Sequence, residues 1–235
     1  MLNLYNILFL DIETVATSPQ FENLSDRFKT LWEKKAKFLD KSGLLTPADL
    51  YQQAGIYAEF GKIVSIAVGY FTKEDNPKLR IKAFSNDNEK DLLKEFSSLI
   101  SQKFDSESLR LCAHNGKEFD FPYLSRRLII NNLPVPEVLS LSGKKPWEIK
   151  HLDTMEMWKF GDYKHFTSLE LLAAILNIES SKDDIDGSQV NEVYYGENDL
   201  ERISEYCKRD VVVLAQVFLR LNQMPTLPKE RITLL

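Results

Sequence analysis

The stretch Ile7-Leu8-Phe9-Leu10-Asp11-Ile12-Glu13 constrains this chain more than any other. Four apolar residues in a row read as a buried strand. The run then ends in two carboxylates one residue apart. Side chains alternate along a strand, so Asp11 and Glu13 point the same way. Two like charges that close repel, and one takes up a proton unless something positive sits between them. No Lys or Arg occurs in residues 1–26. A hard, oxygen-seeking metal ion answers the pair; the plain rival is a solvated strand end carrying two acids.

The chain has 235 residues, within the range of one large domain, and its hydrophobic share of 43% suffices for a core. A formal charge of -5 argues against a protein that coats long nucleic acid, so any nucleic-acid contact should be short and local. Cys112 and Cys207 are far apart in sequence and suggest no ligand cluster. His114, His151 and His165 show no zinc spacing. Both cysteines fall in apolar segments, which fits reduced, buried thiols and a cytoplasmic location. The N-terminus lacks the pattern of a secretory signal, and no apolar run approaches the roughly 20 residues of a membrane helix.

Periodicity gives a coarse map. Strands are predicted at about 4–12, 61–71, 80–85, 109–115 and 151–158. Helices are predicted at 88–104, 121–132, 167–178 and 198–221, the third with Thr167 as N-cap and Glu170 three residues on. Residues 18–60 are charged, with Phe21, Phe28, Leu31, Trp32, Phe38 and Leu39 at helical spacing, and read as a helical insertion in a single domain. The expectation is an α/β fold, a mixed five-stranded sheet flanked by helices.

Two metal ions about 3.5–4 Å apart need more oxygen ligands than Asp11 and Glu13 supply. Further acids stand at other element ends. Asp120, in His114-Asn115-Gly116-Lys117-Glu118-Phe119-Asp120, falls between a strand and a helix. Asp210 lies in the last long helix, four residues after Tyr206, so the two share a helix face. Each has a plain alternative: a surface acid paired with Lys208 or Arg209, and a core aromatic with its hydroxyl at the rim.

In order, Asp-x-Glu after the first strand, Asn-x-x-x-Phe-Asp at mid-chain and Tyr-x-x-x-Asp on a late helix resemble the DEDD superfamily of 3′–5′ exonucleases. The detail is similar to stand-alone relatives of the proofreading domain of family B DNA polymerases, over nearly the whole chain. Glu205 stands where the sister subgroup has a histidine, so the chain resembles the tyrosine subgroup. The resemblance implies a ribonuclease H-like sheet. It implies that Asp11, Glu13, Asp120 and Asp210 hold two Mg²⁺ or Mn²⁺ ions and that Tyr206 orients the attacking water. It places Thr14 and Asn115 near the substrate's 3′ end. The implied substrate is a single-stranded 3′ end of DNA or RNA, cut to nucleoside 5′-monophosphates. No polymerase domain is attached, so proofreading or repair would require a separate partner. Nothing in the family's minimal fold corresponds to residues 18–60.

Two other classes stay open on the residues. A phosphatase of the haloacid dehalogenase type also opens with two acids after a strand, but wants Asp-x-Asp and a following Gly-Thr; here Glu13 precedes Thr14-Val15. An idle nucleic-acid binder on the same fold is the other. His114 adjoins the mid-chain motif and reads as a hydrogen-bonded strand-end histidine rather than a ligand.

Overall fold

Strand β1 (Ile7–Ala16) sits at the centre of the sheet because both of its faces are apolar at the start. In the computed structural model, which describes residues 3–162, 166–180 and 184–235, its even residues Leu8, Leu10 and Ile12 enter one core and its odd residues Ile7 and Phe9 another. The period of two thus assigns Asp11 to the second face. β1 runs on past the acids to Ala16, with a register irregularity between Glu13 and Thr14.

After β1 come helices α1 (Asp26–Leu39) and α2 (Pro47–Tyr51), then β2 (Gly61–Phe71) and β3 (Leu79–Ser85). Helix α3 (Glu89–Lys103), β4 (Arg110–Ala113) and α4 (Asp120–Ile130) follow. β5 (Leu152–Asp153), α5 (Thr154–Lys159), α6 (Leu169–Ile175), the single turn α7 (Val190–Glu192), α8 (Leu200–Leu221) and β6 (Ile232–Leu234) complete the chain. The sheet order is β5-β4-β1-β2-β3-β6. β1, β2 and β3 are antiparallel neighbours, whereas β4, β5 and β6 pair in parallel. Helices α3 and α4 cover the face of Leu8 and Leu10; α8 covers the face of Phe9, which meets Phe218 edge-on at 5.2 Å.

The fold is the mixed, helix-flanked sheet expected, with six strands instead of five; the extra strand is the three-residue β6. The predicted strand at 151–158 is also corrected. Only Leu152 and Asp153 pair with β4, because the Asp153 carboxylate accepts from the backbone of Met155 and Glu156 and starts a helix there. The N-cap of α6 is Ser168, whose hydroxyl takes the Leu171 N–H, while the Thr167 carbonyl faces His114. Glu170 instead accepts from Ser180. The valine run of α8 is helical because α8 is covered twice: Val211 packs toward the sheet, and Val213 and Val217 pack with Leu172 and Ala173 of α6. No helix among the described residues is long and apolar enough to cross a membrane.

Residues 17–60 project from the tip of the β1–β2 pair. They hold a small core of their own around Trp32, which is fully buried, donates to the Pro47 carbonyl at 2.7 Å and meets Tyr51 and Phe60 edge-on. A Thr46–Asp49 capping box starts α2.

Candidate active site

β4 leaves the sheet early: its last pairing to β1 is at Phe9, so β1 outruns it. The freed Ile12 N–H donates to the carboxylate of Asp120, the first residue of α4. That contact sets Asp120 against the strand, close enough for its charge to act on both Asp11 and Glu13. From the α8 side, Tyr206 and Asp210 share one face four residues apart, and the Tyr206 hydroxyl is hydrogen-bonded to the Asp210 side chain. All four acids therefore converge where β1, α4 and α8 meet.

Their electrostatics follow from crowding. Asp11 is pushed well above the usual carboxylate range by burial, then by Glu13, Asp210 and Asp120. Burial, then Asp210 and Asp120, raise Glu13 likewise. The Asp11 and Glu13 side chains lie close together, so either carboxyl, when protonated, can donate to the other. Burial also raises Asp120 to about 7, with the charge of Asp153 adding to it. Burial and the neighbouring acids raise the Tyr206 phenol too, so it remains a donor.

Cys207 corrects the expectation that the cysteines lie apart from any ligand group. Its sulfur is 3.4 Å from the Asp11 carbonyl and 3.5 Å from Asp11 Oδ2, and ligand atoms of Asp11, Glu13 and Cys207 all lie within 4.8 Å of one another. Burial, then Asp11 and Glu13, hold this thiol well above its ordinary value. It therefore donates to Asp11 as S–H. The signal was in the sequence: Cys207 stands three residues before Asp210, on the same side of the helix. Cys112 is buried, and both thiols are free.

A divalent cation fits this donor set. Hard carboxylate oxygens dominate it, and the mutual repulsion that raises their pKa values is what a cation between them would relieve.

Asn115 takes a left-handed backbone (φ 62°) at the end of β4, and its buried Oδ1 has no hydrogen-bond partner. Next to it Gly116 leaves no room for a side chain, since a Cβ would lie 2.3 Å from that of Ala113. The turn is held by Asp153, a residue the sequence reading missed. Its buried carboxylate accepts from Asn115 N at 3.0 Å and Lys117 N at 3.1 Å, besides capping α5. Thr14 lines a cleft beside Glu13. His114 is engaged structurally: Nε2 is 2.8 Å from the Thr167 carbonyl and Nδ1 2.9 Å from the Thr154 hydroxyl. A carbonyl only accepts, so Nε2 carries the proton; burial keeps the ring neutral by lowering its pKa. His151 is buried between Leu111 N and the Val138 carbonyl, and His165 lies outside the described residues.

Comparison with known proteins matches residues 56–231 to a family described as predicted 3′-5′ exonucleases related to the exonuclease domain of PolB. The matched stretch contains Asn115, Asp120, Tyr206 and Asp210, and β1 precedes it. No curated protein matches the sequence. Among solved structures, the family B DNA polymerase of the hyperthermophilic archaeon Pyrobaculum calidifontis superposes with a TM-score of 0.52 at 16% identity, over 91% of this chain. This chain spans 24% of that polymerase. The RNase domain of the yeast Pop2 protein gives a TM-score of 0.34 at 14% identity, over 87% of this chain and 76% of that one. The superposition on the polymerase shows a shared fold, and with its match over residues 56–231 the chain belongs to the family of predicted 3′-5′ exonucleases related to the exonuclease domain of PolB.

Proposed function

We propose that the chain is a metal-dependent 3′–5′ exonuclease that releases nucleoside 5′-monophosphates from unpaired 3′ ends, with DNA as its substrate. The observation that carries this reading is the convergence of Asp11, Glu13, Asp120 and Asp210, with the Tyr206 hydroxyl on Asp210. The four acids would hold two Mg²⁺ or Mn²⁺ ions, directly or through water. Bound there, divalent cations would acidify a water and offset charge on the leaving 3′ oxygen.

The chain's own groups do the rest. The Tyr206 phenol keeps its proton, so it orients water by donating or accepting a hydrogen bond instead of acting as a base. The water oxygen bonds to phosphorus, the bond from phosphorus to the 3′ oxygen of the preceding nucleotide breaks, and that oxygen takes up a proton. A fresh 3′ hydroxyl is left for the next step. Asp153 holds the Asn115 turn, and with it the approach to the acids, in one geometry. Placing a terminal nucleotide among these groups costs least when it is already unpaired.

The test uses 5′-labelled single-stranded DNA and RNA of one sequence, with Mg²⁺, Mn²⁺ or a chelator. A ladder shrinking one nucleotide at a time on DNA, silent in chelator and blocked by a 3′ phosphate, is expected. Faster degradation of the RNA would reassign the substrate. Immediate internal cuts, or digestion of a closed circle, would overturn the exonuclease reading.

A further inference from the structure

A cleft of about 490 Å³ opens beside Glu13, with Ile12 and Thr14 also in its lining. Gln52, Gln53 and Ile56, at the far end of the 17–60 segment, line it too, as does Phe119. We propose that Gln52, Gln53 and Ile56 seat the nucleobase of the substrate's 3′-terminal nucleotide. The inference rests on the exonuclease reading and adds the part of the substrate that this wall meets.

The wall is built to a fixed position. Gly55 lies so close to β1 that a Cβ would stand 3.1 Å from the Val15 carbonyl carbon and 3.3 Å from the Thr14 oxygen. The Gly55 carbonyl accepts the Tyr123 hydroxyl at 2.7 Å, and a Cβ on Gly61 would strike that same hydroxyl. The turn Ala54–Ile56 is thereby locked onto the strand that carries Asp11 and Glu13.

Burial separates the residues that hold the wall from those that face the cleft. Leu50, Tyr51 and Ala54 are in the segment's core, whereas Gln52 and Gln53 are exposed and Ile56 is 51% exposed. Nothing in the packing of the segment requires an isoleucine there. Charge separates them again. Residues 26–41 carry many charged side chains, yet Gln52–Ile56 carries none. A neutral wall suits the neutral part of a nucleotide, not its phosphates. A base has apolar faces and polar edges. Ile56 and Phe119 offer apolar surface, and each carboxamide both donates and accepts, so the pair can meet the edge of any base.

The experiment compares two 5′-labelled oligonucleotides, one ending in a normal 3′ nucleotide and one whose terminal residue lacks its base. Each is given to the parent protein, to Ile56→Ala and to the double variant Gln52→Ala/Gln53→Ala. KM for the base-bearing end should rise about fivefold to tenfold in the variants, at the low end of what one stacked base contributes. KM for the abasic end and kcat for both should stay with the parent, which also shows that the variants are folded. In parallel, Asp210→Asn with and without the wall substitutions is titrated with the two oligonucleotides by fluorescence anisotropy. The same preference for the base-bearing end should appear and then vanish. If parent and variants lose equally when the base is removed, in turnover and in binding, the assignment of the wall is overturned and the exonuclease reading stands. If the parent cuts neither oligonucleotide in Mg²⁺ or Mn²⁺, the exonuclease reading fails; loss of base preference in the binding titration would then still place a base on this wall.

Discussion

Glu13 and Ile56 line one cleft but reach it by different routes. Glu13 lies on the central strand β1, where it is paired with Ser65 of β2 beyond the last pairing to β4. Ile56 lies on a turn outside the sheet, carried by a segment with a separate small core. Asp11 and Glu13 cannot move without the sheet, nor Asp120 and Asp210 without the helices packed on it. The wall depends on the packing of Trp32, Tyr51 and Phe60, and on the glycine contact that locks it to β1. One cleft thus combines chemistry fixed by the main fold with a fit set by a separately packed segment.

The largest test of that division removes an acid. Asp11→Asn or Asp210→Asn should lower kcat by about a thousandfold, equivalent to about 4 kcal/mol, on base-bearing and abasic ends alike. Near-parent turnover in either variant would show that the four acids, the floor of the site, are not where the reaction happens.

Next comes the wall's own foundation. Trp32→Ala removes a fully buried ring and its hydrogen bond, which costs about 3–5 kcal/mol at a core site. Limited proteolysis should cut within 17–60 far sooner, while turnover on the abasic end stays within about threefold of the parent. A matching collapse of abasic turnover would mean that floor and wall are one unit.

A smaller effect concerns protons and metal. The folded chain keeps the Asp120 proton up to about pH 7, whereas an unfolded carboxyl gives it up near 3.8. Between those values the metal-free fold loses stability as pH rises, and the loss persists above them. The buried histidines have depressed pKa values and push the other way below their ordinary 6.5. Comparison with Asp120→Asn isolates the carboxyl: in chelator the variant should melt above the parent at pH 8 and with it at pH 4. Mn²⁺ at about a hundred times its dissociation constant should add about 2.7 kcal/mol to the parent, or roughly 2–4 °C per kcal/mol for a chain of this size. A parent melting curve indifferent to Mn²⁺ would contradict a preformed site.

Tyr206→Phe should have the mildest effect, a loss of about tenfold to a hundredfold in kcat, as one hydrogen bond to a charged partner allows. The fold should be kept, since the ring still fills its place beside Val15 and Ile203. A loss equal to that of Asp210→Asn would give the phenol a larger part than orientation.

The floor was legible because its residues obey simple periods. Asp11 and Glu13 follow the alternation of a strand, and Tyr206 and Asp210 the pitch of a helix. Asp120 stands at an element boundary. Asp153 was illegible because "HLDTMEMW" alternates well enough to read as a strand. Only the cap formed by its own carboxylate ends that strand after two residues. Cys207 shares a side of the helix with Asp210, which the sequence states, but its contact with Asp11 depends on how α8 crosses β1, which no local pattern states. The wall was less legible still: Gln52, Gln53 and Ile56 sit in a short polar turn without periodicity, and their position is set by Gly55 against a strand some forty residues away. β6 escaped because three residues are too few to carry a pattern.

The 17–60 segment leaves the sheet at Ala16 and returns at Gly61, which face each other in register, and Thr17 N donates to the Phe60 carbonyl at 2.8 Å. Its two ends are thus neighbours, like the ends of a domain spliced into a hairpin. Loop closure between them grows only as the logarithm of the length enclosed, by about 0.6 kcal/mol for each doubling. Evolution can therefore lengthen, trim or exchange the whole segment at this graft point while the strand register, and the acids set by it, stay where they are.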